Sequence, residues 1–212
     1  MVMNSRVKLI GDYLDSLFPN PKTELVFHSD YELLIAIMLS AQTTDKRVNE
    51  VTKILFSKYS LEELCSANID DLENILRPLG SFRKKAVYTR DIACTLVNVY
   101  NGVVPKNKEL LVKFPGVGIK TANVFLSEFY GYPAIAVDTH VERVAKRLRF
   151  AYLNDDVLKV EHKLENKFPK NEWSRRHLQF LLFGRYYCKA ISPKCSECEL
   201  SKICRYFNNL KK

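Results

Sequence analysis

The segment that most constrains the fold is Leu33–Leu39, in which every side chain is apolar. Ser29 and Glu32 precede it with the S-x-x-E spacing of a capping box, so a helix is predicted to begin there. A helix that is apolar on every face must be surrounded by other parts of the protein. We therefore predict that this helix forms the centre of the fold. No apolar run reaches the roughly 18 residues that a membrane-spanning helix needs.

The rest of the chain shows helical rather than alternating spacing of apolar residues. The chain has 7 glycines and 8 prolines among 212 residues, too few to punctuate a many-stranded barrel or sandwich. We predict an all-α fold of about ten short helices joined by brief loops. Besides the central helix, the patterns cover residues 5–17, 86–100, 107–113, 119–129, 139–149, 155–168 and 172–187, and two more begin at Thr44 and at a capping box over Ser60–Glu63.

The charge of the chain is strongly basic, with 33 lysines and arginines against 24 acidic residues and a formal net charge of +9. A surplus of this size indicates a polyanionic partner such as nucleic acid or an anionic membrane surface, although it can also serve solubility alone. Residues 1–6 lack the apolar core of a secretory signal. We therefore expect a cytoplasmic protein.

Two glycines separate two helical patterns in the segment Phe114-Pro115-Gly116-Val117-Gly118-Ile119-Lys120. Pro115 disfavours helical geometry at the residue before it and so ends the first helix. Gly116 and Gly118 permit backbone angles that other residues avoid, and they leave no side chain between the main chain and a ligand. The second helix then starts with unpaired N–H groups, which suit a phosphate oxygen. A tight helix–helix turn is the alternative interpretation.

Two charged residues near helix starts are candidates for chemistry. Lys120 lies in the first turn of the second helix, where the positive dipole end favours the neutral amine. A neutral amine is a nucleophile that can form a Schiff base. The alternative interpretation is that Lys120 is a solvated, charged lysine that contacts a phosphate. Asp138 precedes a helical pattern and is predicted to cap it. A capping carboxylate is rigidly held and can oppose a developing positive charge.

Four cysteines lie within 17 residues near the C-terminus, with the spacing C-x6-C-x2-C-x5-C. Four thiolates in one loop imply a metal centre. One C-x2-C flanked by wider gaps favours an iron–sulfur cluster, while structural zinc, the alternative, usually takes two separated pairs. The candidate ligands are Cys188, Cys195, Cys198 and Cys204.

The remaining two cysteines, Cys65 and Cys94, sit in helical patterns and are predicted to be unpaired, buried residues of the core. Unpaired core thiols are typical of a reducing compartment. Basic residues next to the other motifs are predicted to contact the phosphates of a nucleic-acid backbone, namely Lys189 and Lys194 in the cysteine loop and the run Arg83-Lys84-Lys85.

These motifs together resemble the endonuclease III family of helix-hairpin-helix DNA glycosylases. The resemblance rests on residues 114–124, on Val137-Asp138-Thr139-His140-Val141 and on the cysteine spacing. It implies two helical lobes around a DNA-binding cleft, a central lobe over residues 22–134 and a cluster lobe made of residues 1–21 and 135–212. It also implies a monomer that acts, away from membranes, on double-stranded DNA containing a damaged base or an abasic site, near the nucleoid of a bacterial or archaeal cell.

The resemblance implies a role for each matching residue. Lys120 matches the lysine that forms the Schiff base, and Asp138 matches the essential aspartate. The four clustered cysteines match the ligands of a 4Fe–4S cluster. Gln42 matches the glutamine that fills the gap left by the flipped nucleotide, and the hairpin residues Gly116, Val117 and Gly118 are expected to bind the DNA backbone. The implied reaction excises an oxidised pyrimidine and then cleaves the abasic site by β-elimination.

Two positions depart from the family pattern. Ser81 stands where members often carry a large aliphatic wedge, so Phe82 becomes a candidate to stack on DNA bases, or else a core residue of the next helix. Phe183-Gly184-Arg185 replaces the usual His-Gly-Arg before the first clustered cysteine.

Two other functions are alternatives. A monofunctional mismatch glycosylase lacks the hairpin lysine, and its adenine-specific type needs an acid where this chain has Ile37. A non-catalytic helix-hairpin-helix module would account for the glycines and the charge. It would not account for Lys120, Asp138 and the four cysteines together.

Overall fold

A computed structural model describes residues 4–210, and all regular secondary structure within them is helical, which confirms the predicted all-α fold. None of these helices is long and apolar enough to cross a membrane. The expectation about the amino-terminal segment falls partly on residues 1–3, which lie outside the described range. The α-helices of the described range are α1 (Ser5–Leu17), α2 (Asp30–Leu39), α3 (Asp45–Lys58), α4 (Leu61–Ser66), α5 (Ile69–Leu76), α6 (Phe82–Tyr100), α7 (Lys108–Leu111), α8 (Ile119–Tyr130), α9 (Thr139–Arg147), α10 (Val157–Glu165), α11 (Trp173–Tyr186) and α12 (Arg205–Leu210).

The chain divides into two compact units. The first unit spans Glu24–Gly131 and contains α2 to α8. The second unit combines the residues up to Thr23 with those from Tyr132 onward, and it contains α1 and α9 to α12. Short 3-10 helices over Lys170–Glu172, Cys195–Glu197 and Glu199–Ile203 also belong to the second unit.

The apolar helix α2 is the core of the first unit, as its sequence predicts. Every residue from Glu32 to Leu39 is buried, and α3, α6 and α8 pack against the helix. Ser29 accepts a hydrogen bond from the Glu32 N–H, as the capping box requires. The Glu32 carboxylate, however, accepts from the N–H of His28 at 2.6 Å, one residue earlier than a capping box places it.

The pair of helices α4 and α6 carries the two cysteines that were predicted to be unpaired. That prediction is wrong, because Cys65 and Cys94 form a disulfide with their Cα atoms 4.4 Å apart. Both residues are half-buried rather than fully buried. Their separation of 29 residues hides the pairing from any local pattern. The argument for a reducing compartment from unpaired core thiols therefore no longer holds.

Helix α5 was not predicted from the sequence, and α6 begins earlier than its predicted start. The side chain of Asn68 caps α5 by accepting from the Asp70 N–H, and Leu72 and Leu76 are buried. An asparagine followed by apolar residues at helical spacing was the available signal. α6 begins at Phe82 rather than at residue 86, directly after Ser81, which adopts a left-handed φ of +57°.

A buried polar network ties α1 to α11 in the second unit. Arg176 is 4% exposed, and its guanidinium donates to the Asp15 carboxylate at 2.8 Å and to the Gly11 carbonyl at 3.1 Å. Gln179 is fully buried and donates to the Phe18 carbonyl. Burial alone would raise the pKa of Asp15, but hydrogen bonds from Gln179 and Arg176 outweigh it and lower the pKa. A buried cation needs such partners, so the network fixes α1 to a helix from the other end of the chain.

Candidate functional site

The predicted glycine turn joins α7 to α8. Gly116 has φ +75°, and a Cβ built there would lie 2.6 Å from the Tyr88 ring and 3.0 Å from Met38 Cγ. Gly118 differs from the prediction, because its φ of −87° and ψ of 177° are open to any residue. Apart from its chain neighbours, no atom of residues 4–210 lies within 4 Å of a Cβ built on it. The fold thus requires Gly116, whereas Gly118 leaves space in front of α8.

The N-terminus of α8 is accessible to a ligand. Gly118 provides no side-chain cap, and the next residue, Ile119, is 62% exposed. Lys120 follows as the second helical residue and is also exposed. The first amides of a helix, together with its dipole, form a site suited to an anion such as phosphate. The ammonium or amine of Lys120 belongs to the same helical turn.

Asp138 caps α9, as predicted. Its Oδ1 atom accepts hydrogen bonds from the N–H groups of His140 and Val141 at 2.9 and 2.8 Å. These two bonds fix the carboxylate relative to the backbone and satisfy two of the amides that a helix start leaves unpaired. Asp138 belongs to the second unit, and Lys120 belongs to the first.

Two arginines of α9 hold the backbone that leads into the cysteine loop. Arg143 donates to the carbonyls of Gly184 at 2.8 Å and Cys188 at 3.0 Å. Arg147 donates to the Lys189 carbonyl at 2.7 Å and to the Cys188 Sγ at 3.3 Å. Neither arginine was among the predicted site residues, although their i, i+4 spacing places them on the same face of α9. The helix capped by Asp138 is therefore the helix that anchors this loop.

The Phe183-Gly184-Arg185 segment of α11 lies against α9 and the core. A Cβ on Gly184 would lie 2.9 Å from His140 Cβ and 3.2 Å from its carbonyl oxygen, so only glycine fits this close contact. Phe183 is 1% exposed and its ring stacks on Tyr187 with centroids 5.9 Å apart. The position at which the chain departs from the family's histidine is therefore a packing position.

All four clustered cysteines line one cavity in the second unit, together with aromatic residues such as Tyr187 and Phe207. Cys204 is buried and the other three cysteines are half-buried. Burial raises the pKa of Cys188 and Cys195, and it raises that of Cys198 to about 11. Thiols in such surroundings need a bound cationic centre to be held as thiolates.

The arrangement of these thiols differs from that of ligands around one ion. Within residues 4–210, no three histidine, cysteine, aspartate or glutamate side chains are placed to hold a single metal ion. The four thiols nevertheless line one cavity, and four cysteine thiols are a donor set that fits an iron–sulfur cluster.

The other predicted DNA-binding residues lie in exposed loops, with two exceptions, Val117 and Phe82. Val117 is 4% exposed and belongs to the core of the first unit. Gln42 and Ser81 are exposed, and both have left-handed backbones, with φ values of +59° and +57°. Lys189 and Lys194 are also exposed. Phe82 is half-buried against the core of the first unit, which favours its alternative interpretation as a helix-packing residue.

Lys85 contradicts the prediction that the run Arg83-Lys84-Lys85 contacts phosphate as a whole. Arg83 and Lys84 are exposed, but Lys85 is 5% exposed and points into the first unit. Helical periodicity explains the difference, since Lys85 follows Phe82 by three residues on the inner face of α6. The three basic residues are adjacent in sequence, but only the position of each on the helix decides which of them is buried.

Comparisons with known proteins agree with this geometry. Residues 35–170 match the family model described as HhH-GPD superfamily base excision DNA repair protein. The chain is 44% identical over 206 residues to endonuclease III of Bacillus subtilis (strain 168), covering 97% of this chain and 94% of that protein. It is 42% identical to endonuclease III of Haemophilus influenzae, with 89% of each chain covered.

Solved structures of endonuclease III are also similar to this chain. A trapped endonuclease III–DNA covalent intermediate superposes with a TM-score of 0.92 at 45% identity, covering 99% of this chain and 100% of that one. A non-covalent endonuclease III–DNA complex gives a TM-score of 0.93 at 45% identity, with complete coverage of both chains. A thermostable thymine-DNA glycosylase shares the fold at 22% identity, with a TM-score of 0.84 and coverage of 97% and 98%.

Proposed function

Because this chain belongs to the endonuclease III family of HhH-GPD base excision DNA repair proteins, we propose that it excises oxidised pyrimidines and cleaves the resulting abasic site through a Schiff base on Lys120. Membership makes it a DNA glycosylase with abasic-site lyase activity. The observation that carries the residue assignment is the exposed Lys120 in the uncapped first turn of α8. We propose that the enzyme is a monomer. Because its substrate is chromosomal DNA, we also propose that it acts in the cytoplasm.

The proposed reaction uses one nucleophile and one carboxylate. After the damaged nucleotide leaves the base stack, the lone pair of the Lys120 amine forms a bond to C1′ and the bond from C1′ to the base breaks. The base leaves with the electron pair of the broken bond and takes up the proton that the attacking nitrogen releases, while the Asp138 carboxylate opposes the positive charge on the sugar. Ring opening gives an imine, which acidifies C2′. Loss of a C2′ proton then breaks the C3′–O bond, and water releases the lysine.

Borohydride trapping during turnover tests this function. A duplex containing thymine glycol should give a covalent enzyme–DNA adduct, because borohydride reduces the imine to a stable amine. Base release with no adduct would support the monofunctional alternative. Within that alternative, the apolar Ile37 argues against the adenine-specific type, which needs an acid at this position. Binding with neither base release nor adduct would support a non-catalytic module.

The two hairpin glycines should respond differently to alanine. Gly116→Ala should lower the free energy of unfolding by about 1–3 kcal/mol, because its left-handed backbone and the Tyr88 ring both oppose a Cβ. Gly118→Ala is the matched control and should stay within about 0.5 kcal/mol of the wild type, while weakening affinity for duplex DNA at the open end of α8. Thermal unfolding and fluorescence anisotropy measure the two effects. Equal destabilisation by both variants would contradict this division of roles.

Phosphate contacts should dominate the affinity for DNA. Each neutralised phosphate contributes about −0.9 to the slope of the logarithm of the DNA association constant against the logarithm of the salt concentration. Replacing Lys189 and Lys194 by glutamine should therefore make this slope less negative by about 1.8. Lys53 and Lys167 are also exposed and lie in neither the hairpin nor the cysteine loop, so their double replacement is the control. The same slope in both double variants would contradict phosphate contacts by Lys189 and Lys194, and a slope near zero in the wild type would show that the basic surplus serves only solubility.

We further propose that Cys188, Cys195, Cys198 and Cys204 hold a 4Fe–4S cluster. Their shared cavity and the burial of their thiols support this assignment. When bound, the cluster supplies the cationic centre that keeps these thiols ionised and holds their loop in shape. Arg143 and Arg147 then connect that loop to the helix capped by Asp138. Arg147 donates to the backbone carbonyl of Lys189, and this bond fixes the exposed Lys189 beside α9.

Removal of one ligand tests the cluster. Cys198→Ser should remove the brown colour and most of the bound iron, because a hydroxyl is a poor ligand for iron. Affinity for DNA should fall as well, since the cysteine loop would lose its support. Cys65→Ser is the control and should retain both colour and iron. A visible spectrum and iron content unchanged in Cys198→Ser would defeat the assignment.

A further inference from the structure

Lys85 is a buried lysine whose partners are loop oxygens rather than a carboxylate. Its Nζ donates to the Ala41 carbonyl at 3.0 Å and to the Thr43 hydroxyl at 3.3 Å. Burial lowers the pKa of this amine. The two acceptors lie on either side of Gln42, which is itself exposed and has a left-handed φ of +59°. A left-handed non-glycine residue persists only where its surroundings hold it in that conformation.

The position of Lys85 in the first turn of α6 explains how its side chain reaches this loop. Its N–H makes the ordinary helical bond to the Ser81 carbonyl at 3.1 Å, which any residue at this position would make. Only the two bonds of the side-chain amine are specific to lysine. A buried cation is expensive, and an apolar side chain of similar length would pack there without that cost. The contacts of Lys85 therefore indicate a task other than stability.

We propose that Lys85 is a positioning residue that holds the Gln42 loop in the conformation from which Gln42 enters the DNA. The inference rests on the proposed function, in which Gln42 fills the space left by the flipped nucleotide. Lys85 itself touches neither the substrate nor the reacting atoms. It acts through the backbone at residues 41–43.

A double-mutant cycle tests this role. Lys85→Met keeps the length and packing of the side chain but removes its donors, and it should lower kcat/KM on a thymine glycol duplex about tenfold, as expected for a lost hydrogen bond from a charged group. In the Gln42→Ala background the same change should cost nothing further, because the loop no longer carries a residue to position. Thermal stability of Lys85→Met should equal or exceed that of the wild type. Losses that multiply in the double variant, or no loss in the single one, would overturn the proposal.

The neighbouring Lys84 provides the matched control. It is exposed on the same helix, so Lys84→Met should reduce the salt slope of binding by about 0.9, whereas Lys85→Met should leave the slope unchanged. A reduced slope in Lys85→Met would mean a phosphate contact and would also overturn the proposal. If Lys85→Met does not fold, Thr43→Val takes its place, because it removes one acceptor and leaves the lysine. In a cycle with Gln42→Ala, a loss in kcat/KM that disappears in the double variant supports the proposal, and losses that multiply overturn it. Failure of the wild type to give a borohydride adduct would instead count against the proposed function.

Discussion

Replacing Lys120 by glutamine is expected to abolish both borohydride trapping and strand nicking. Glutamine keeps a polar side chain of similar length but has no nucleophilic amine, so neither the bond to C1′ nor the imine can form. The loss in rate should be at least about a thousandfold, as is typical when the nucleophile itself is removed. Because Lys120 is exposed, the variant should fold normally. Denaturing electrophoresis of a labelled thymine glycol duplex after borohydride treatment measures both outcomes.

The control for this variant is Lys113→Gln, which removes the same charge from an exposed lysine just before the hairpin. It should still nick the strand and form the adduct. An adduct of undiminished yield with Lys120→Gln would mean that another amine attacks the sugar, and the assignment of Lys120 would fail.

Replacing Asp138 by asparagine is expected to slow base excision by about 100- to 1000-fold while leaving folding intact. Asparagine caps helices as well as aspartate does, so its side-chain oxygen can still accept from the N–H groups of His140 and Val141. What the variant loses is the negative charge that opposes the positive charge on the sugar. Single-turnover excision on the thymine glycol duplex, together with thermal unfolding, separates the two roles of this residue.

Asp156 gives a matched control because it caps α10 in the same way, accepting from the Lys159 N–H at 2.8 Å. Asp156→Asn should leave the excision rate within about twofold of the wild type, as for a surface substitution away from the chemistry. If Asp138→Asn loses thermal stability in proportion to its rate, the residue is a cap alone. Unchanged excision in Asp138→Asn would likewise exclude the electrostatic role.

The family resemblance and the geometry support each other at particular residues. The spacing around Gly116 and Gly118 predicts a turn, and the structure shows that the fold needs only Gly116 to be glycine. Any residue could adopt the backbone of Gly118, so the fold does not require glycine there, which is consistent with its proposed role in binding DNA. Asp138 is both a cap and a candidate charge partner, and these two roles require the same rigid placement.

The sequence by itself determined the local features of this protein. The apolar run of α2, the caps at Ser60 and Asp138 and the turn at Pro115 each depend on residues a few positions apart, so periodicity and capping rules predict them. The four cysteines could be grouped for the same reason, because they lie within one loop. α5 carries an equally local signal, because Asn68 caps it and apolar residues at helical spacing follow, so the sequence alone is sufficient to predict this helix.

Only the tertiary structure decided which distant residues meet. The disulfide between Cys65 and Cys94, the burial of Lys85 under the Gln42 loop and the anchoring of the cysteine loop by Arg143 each join residues that lie 29 to 45 positions apart. Such contacts depend on how helices pack, and the packing depends on many weak interactions summed over the whole core. A local pattern shows which face of a helix is buried, but not what that face will touch.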